Sequence, residues 1–287
     1  MKRRFLKSII LIILLAGFLG LGYVYFYAGR MGASGADLKT AARLLLFKYS
    51  VIKTLTPEEA EALVEVSCVR KCHGRGVIEK AVHTTIGWAQ SVDRMRKEHG
   101  ASLSGPETSS ITRYLQQNYP AVTSTYPHEV VQKVFKMLWR SDVGEGDVYI
   151  DSIFATQEYF RSTGAISQAE KFGVENHLVF LINLTVHVGR LEPYQMDKMA
   201  VLKDENGREY EALPGWEVLT ETSDNHHRQG MIRFKRFDEQ GNPVIPDAAK
   251  KFQLVIRGVA GVKERVLEWQ LPIPYPPELF EAPKEAE

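Results

Sequence analysis

The chain opens with a short basic segment followed by a long uncharged run. Four basic residues among the first seven precede an apolar stretch from Ser8 to Gly29. About 20 apolar residues are enough to cross a bilayer as a helix, and basic residues on one side favour a cytoplasmic location for that side. We therefore expect residues 1–30 to form a single-pass anchor in a bacterial inner membrane, with a cytoplasmic N-terminus and the bulk of the chain periplasmic.

A cleaved signal peptide is the alternative interpretation of the same run. Signal peptides have shorter apolar cores, roughly 7–15 residues, and end at small residues, whereas this run ends in the bulky segment Tyr25-Phe26-Tyr27. Either interpretation places the chain from Met31 onward outside the cytoplasm. The formal net charge of +1, from 36 basic and 35 acidic residues, gives no reason to expect a nucleic-acid partner.

Helical patterns dominate the first part of the exported chain, and strand patterns dominate the second. Thr56 followed by Pro57 is typical of a helix start, and Ser104 with Glu107 has the spacing of a capping box. From Val148 onward, short runs rich in β-branched and aromatic residues alternate with turn residues, which predicts a β-sandwich. The predicted domains are a helical domain over 31–120, a helical connector over 121–147, a β-sandwich over 148–273 and a flexible tail over 274–287.

The two cysteines of the chain, Cys68 and Cys72, lie four positions apart, and His73 directly follows the second. In an exported protein they could form one disulfide bridge, whereas a zinc site would need further ligands from distant histidines. A covalent haem site needs two thiols on one side of a turn and an imidazole immediately beyond them. The usual motif of such a site has two residues between the cysteines, whereas this chain has three. Cysteines four positions apart still share a face of a helix.

The residues around this motif resemble the short mono-haem type of class I c-type cytochromes. The resemblance is carried by "EEAEALVEVSCVRKCH" followed by "GWAQSVDRMRKEHGASLSGPETSSITRYL". The matching positions after the motif are Trp88, Val92, Arg94, Met95, Leu103, Ser104, Glu107, Ile111, Tyr114 and Leu115. The resemblance covers Thr56 to Tyr119 and implies one covalently attached haem c. Cys68 and Cys72 would form the thioethers, and His73 would be the proximal iron ligand.

The same resemblance implies roles for residues beyond the motif. Met95 matches the distal iron ligand of the family, and a His/Met pair raises the haem potential. His83 and His99 are the alternative distal ligands, and either would give a haem of lower potential. Trp88 and Tyr114 are expected to wall the haem pocket.

The strand-rich part resembles immunoglobulin-like modules of exported bacterial proteins, through "LVFLINLTVHV" and "AVLKDENGREY". The predicted fold is therefore an α + β multidomain protein with an N-terminal transmembrane helix, an all-α cytochrome c domain and a C-terminal all-β immunoglobulin-like sandwich. We expect an electron-transfer protein rather than an enzyme, working between an exported redox protein and a membrane oxidoreductase complex, with the sandwich as a docking module. The alternative is a haem-based sensor, or a non-redox assembly or scaffold subunit of an exported membrane complex.

Overall fold

The computed structural model describes residues 38–81, 83–121 and 124–281, together with Gly20, Gly22, Tyr23 and Tyr25. Apart from those four residues, the predicted anchor over 1–30 lies outside the described part. Among the described residues, no helix combines the length and the apolar character that crossing a membrane requires. The chain divides into two compact units, one with the described residues up to Ala81 and Val92–Tyr114, the other with residues 83–91 and the described residues from Leu115 onward.

Helices build the described part of the first unit. They are α1 (Leu38–Lys48), α2 (Pro57–Val64), α3 (Arg75–Glu79), α4 (Thr85–Glu98) and α5 (Gly105–Asn118), with a π-helical turn at Glu65–Val69 directly after α2. The first residues of α4 and the last residues of α5 belong to the second unit. Apolar side chains at helical spacing are buried, among them Leu44, Leu63 and Ile111.

Local side-chain caps define the helix starts in this unit, as predicted. The Thr56 hydroxyl accepts a hydrogen bond from the Glu59 backbone N–H at 3.3 Å, and the Glu59 carboxylate accepts one from the Thr56 N–H at 2.9 Å. Arg43 of α1 also donates to the Glu59 carboxylate. Burial favours the protonated form of Glu59, but the hydrogen bonds and charge of Arg43, with the Thr56 N–H, lower the pKa of this carboxyl below its ordinary value.

The second unit contains two antiparallel sheets and several helices. A five-stranded sheet has the order β1-β2-β3-β7-β6, and a four-stranded sheet has the order β5-β4-β8-β9. The strands are β1 (Trp139–Ser141), β2 (Val148–Phe154), β3 (His177–Val186), β4 (Ala200–Lys203), β5 (Glu209–Glu211), β6 (Glu217–Glu221), β7 (His227–Lys235), β8 (Lys251–Ile256) and β9 (Arg265–Gln270). The helices of this part are α6 (His128–Leu138), α7 (Gln157–Ser162), α8 (Ile166–Lys171) and α9 (Met196–Met199), with short 3₁₀ turns at Glu145–Asp147, Val259–Gly261 and Pro277–Leu279.

The fold class predicted from the sequence is wrong, because the second part of the chain is mixed α/β and not an all-β sandwich. Val134 and Leu138 of α6, Phe160 of α7 and Ala169 of α8 belong to the same buried core as the strands. The helices α7 and α8 have six residues each, too few to be stable alone, so tertiary packing stabilises them. The described residues also contain no candidate for the transmembrane helix of that prediction.

An aromatic cluster holds the two sheets of this unit together. Phe154 and Phe180 of the larger sheet lie against Phe252 and Trp269 of the smaller one, with ring centroids 5.1 Å apart for Phe154 and Phe252 and 5.5 Å apart for Phe180 and Trp269. The indole N–H of Trp269 donates to the Leu138 carbonyl at 2.8 Å. The Trp269 ring is fully buried, so it adds apolar area to the core while its N–H keeps a hydrogen-bond partner.

Candidate functional site

The two cysteines lie at a π-helical turn that continues helix α2. The Arg70 N–H donates to the Glu65 carbonyl at 3.0 Å, and the His73 N–H donates to the Cys68 carbonyl at 3.2 Å, both across five residues. The Cys72 N–H shares the Cys68 carbonyl at 3.0 Å. A bond across five residues encloses one residue more than an α-helical bond, and such turns are frequent at functional sites. These hydrogen bonds keep the two cysteines about one turn apart.

The two thiols have different surroundings. Cys68 is half-buried, Cys72 is exposed, and neither belongs to a disulfide. Burial, together with the nearby Cys72 thiol, raises the pKa of Cys68 to about 11. Cys68 is therefore a neutral thiol at physiological pH, whereas Cys72 is open to reagents from solvent.

The imidazole of His73 follows directly after the second thiol, on the loop that precedes α3. Its Nδ1 lies 3.3 Å from the Gly74 carbonyl oxygen. A carbonyl oxygen can only accept a hydrogen bond, so Nδ1 carries the proton in this contact and, in the neutral ring, the lone pair is on Nε2. A backbone carbonyl commonly orients metal-binding histidines in this way. The arrangement thus makes Nε2 of His73 available to a metal ion.

Ion pairs neutralise much of the basic surface around the motif. Glu65 pairs with Arg70 at 3.3 Å and with Arg75 at 3.0 Å. On α4, Asp93 pairs with Arg96 at 2.9 Å and with Lys97 at 2.5 Å. These arginines and lysines therefore present less net charge to a partner than their number in the sequence indicates.

The other predicted site residues are distributed over both units. Met95 on α4 and Tyr114 on α5 are half-buried in the first unit, and His99 is exposed after the end of α4. Trp88 and His83 belong to the second unit. There the indole N–H of Trp88 donates to the Tyr119 carbonyl at 2.7 Å, and the His83 ring lies edge-on to it with centroids 4.7 Å apart. The structure thus brings together Cys68, Cys72 and His73, the motif itself.

A cleft of about 540 Å³ lies beside the motif in the first unit. Its described lining consists of Lys48, Val66, Ser67, Arg70, Lys71, Ala101, Ser102, Leu103 and Glu107. The cysteines, His73 and Met95 are not among these residues. Sequence reasoning did not find the cleft, because Lys48 and Ser102 have the spacing and character of ordinary surface positions.

The chain matches no protein-family model, no curated protein and no solved structure. The candidate site therefore rests on its own chemistry. Two unbridged thiols one turn apart, followed by an imidazole whose Nδ1 contacts a backbone carbonyl, are the donor set that a covalently attached haem requires. The residues of the motif fit that group.

Proposed function

We propose that this chain is an exported electron-transfer protein of the c-type cytochrome kind, carrying one covalent haem c at Cys68, Cys72 and His73. The single observation that carries the proposal is the π-helical turn at Glu65–Val69. It gives the unusual three-residue spacing a local physical basis and keeps both thiols one turn apart, with the imidazole next to them. Residues 1–30 supply the signal for export.

Each residue of the motif has a separate role in this proposal. Cys68 and Cys72 hold the cofactor through thioether bonds, and His73 binds the iron through Nε2 while its Nδ1–H contacts the Gly74 carbonyl. The haem, when bound, supplies reversible one-electron transfer. Met95 is the proposed distal ligand, because it matches the position of that ligand in the family that the chain resembles. A thioether in that position would raise the potential. With His73 and Met95 both holding the iron, no position would be left for a substrate, so the proposed role is electron transfer.

The proposed partners are an exported redox protein and a membrane oxidoreductase complex. The second unit, with its two sheets and helices, serves in this proposal as a module that docks to the larger partner. A one-electron carrier needs a donor and an acceptor, which is why two partners are proposed.

A pyridine haemochrome spectrum tests the proposal directly. The full chain is produced in cells with a cytochrome c maturation system, and the spectrum is recorded after denaturation. We expect about one covalent haem per chain with the band position of two thioethers. Cys68→Ser and Cys72→Ser are the matched controls, and each should shift the band to that of a single thioether.

The outcomes of this experiment separate the alternatives. A wild-type spectrum without covalent haem contradicts the proposal, and the chain is then a non-redox assembly or scaffold protein. A haem that binds carbon monoxide as readily in the wild type as in Met95→Ala contradicts Met95 as the distal ligand and favours a sensor.

A further inference from the structure

The cleft of the first unit lies on a different face of the cysteine-bearing segment from the thiols. Ser67 and Lys71 line it and are four residues apart, as are Cys68 and Cys72. Residues four apart share a face of a helical segment, and adjacent residues point to different faces. The cleft can therefore be occupied without competing for the thiols, and it is a site separate from the proposed haem attachment.

Three cations and one carboxylate line the cleft and give it a net positive charge. Among the described residues, neither the half-buried Lys48 nor the exposed Lys71 forms an ion pair. The third cation, Arg70, contacts the Glu65 carboxylate at 3.3 Å. The cleft thus has two positive groups that are free to bind a ligand, and a concave wall strengthens their field compared with a flat surface.

The acidic residue of the lining is already engaged in the structure. Glu107 is buried, and its carboxylate accepts a hydrogen bond from the Ser104 backbone N–H at 2.8 Å. The Ser104 hydroxyl in turn accepts from the Glu107 N–H at 3.3 Å, which completes the capping box of α5. Glu107 therefore serves the helix start, and its single negative charge is smaller than the charge of the three cations in the lining.

The remaining lining is partly apolar and partly hydroxylated. Val66, Ala101 and Leu103 provide apolar surface, and Ser67 and Ser102 provide hydroxyl groups. Ligand pockets for small molecules are about 300–1,000 Å³ and combine apolar walls with a few polar groups. At about 540 Å³, the cleft has the size of a compact organic molecule rather than of a single inorganic ion.

We propose that this cleft binds a small organic dianion with an apolar body, such as an aryl phosphate or an aromatic dicarboxylate. Lys48 and Lys71 neutralise the two negative charges of the ligand, and the serine hydroxyls donate hydrogen bonds to its anionic oxygens. The apolar side chains of the lining pack against its aromatic ring. The proposal is independent of haem, because none of the residues involved belongs to the thiol–imidazole set.

Isothermal titration of the full chain with phenyl phosphate, inorganic phosphate and benzyl alcohol tests this site. We expect saturable one-to-one binding of phenyl phosphate that is tighter than the binding of either fragment. Lys48→Gln and Lys71→Gln should each weaken it by about fivefold, the scale of a partly exposed ion pair. Lys53→Gln is the matched control, because Lys53 is an exposed lysine of the same unit outside the cleft.

Three results contradict the proposal. They are the absence of saturable binding at millimolar phenyl phosphate, equal weakening by Lys53→Gln and Lys48→Gln, and inorganic phosphate binding as tightly as phenyl phosphate. The titration is repeated with a Cys68→Ser/Cys72→Ser chain, which cannot attach haem covalently. Retained binding there supports a site separate from haem, and binding lost with the cysteines contradicts that separation.

Discussion

The two thiols of the motif should differ in their reactivity when the chain is produced without haem. Cys72 is exposed, whereas Cys68 is half-buried and the pKa of its thiol is raised to about 11. The reactive species towards an alkylating reagent is the thiolate, so the pKa and the exposure both act on the rate. Both factors favour alkylation of Cys72 before Cys68.

The size of the difference follows from the pKa of Cys68. At about pH 8, an ordinary thiol of pKa 9.0 is about one-tenth thiolate, whereas a thiol of pKa about 11 is about one-thousandth thiolate. The more basic thiolate is intrinsically more nucleophilic. With a Brønsted coefficient of about 0.4–0.5, the Cys68 thiolate reacts roughly eightfold faster than an ordinary thiolate, which offsets part of the roughly hundredfold lower thiolate fraction. Cys68 should therefore react about tenfold more slowly than an ordinary exposed thiol, before its burial slows it further.

Mass spectrometry of an iodoacetamide time course measures this difference. Peptide mapping assigns each modification, and the Cys68→Ser and Cys72→Ser chains give the rate of each thiol alone. The rate at Cys68 should continue to rise up to about pH 11. Equal rates at the two cysteines, or faster alkylation of Cys68, would refute the arrangement described here. In the haem-loaded chain neither cysteine should react, because both sulfur atoms are then thioethers.

Three further predictions concern stability, each measured by urea unfolding. Trp269→Phe removes the N–H that binds the buried Leu138 carbonyl and should cost about 1–3 kcal/mol. Gly230→Ala should cost about 1–3 kcal/mol by overpacking, because its Cβ would lie 2.3 Å from a ring atom of Trp216; an unchanged midpoint would contradict that packing. Glu59→Gln should cost about 1 kcal/mol at neutral pH. Because the folded pKa of Glu59 is lowered, that difference is present above the ordinary value of 4.5 and should be lost as the pH falls through the folded pKa.

Local patterns predicted the helix starts well, and longer-range organisation was predicted poorly. The helix start at Thr56 and the capping box of Ser104 with Glu107 form as expected, because each depends on side chains within three residues of the cap. The helices α7 and α8 were missed, because segments of six residues are too short to be stable as isolated helices. Their buried residues Phe160 and Ala169 are held by the surrounding core, which a single sequence does not display.

The candidate site shows the same division between local and distant features. Cys68, Cys72 and His73 are neighbours along the chain, so the motif alone predicts that they lie together. The π-helical turn has no sequence signature of its own, because it is defined by backbone hydrogen bonds across five residues. The placement of Trp88 in the second unit and the lining of the cleft by Lys48 depend on how distant segments pack. Neither feature follows from spacing.

The π-helical turn at Glu65–Val69 also bears on how motifs of this kind change over evolution. An inserted residue in a continuous α-helix rotates everything beyond it by about 100°, but a turn that takes up the additional residue confines the change to itself. The preceding helix keeps Leu63 and Val64 buried. If the proposed function is right, a search that demands a two-residue gap between the cysteines would pass over this chain.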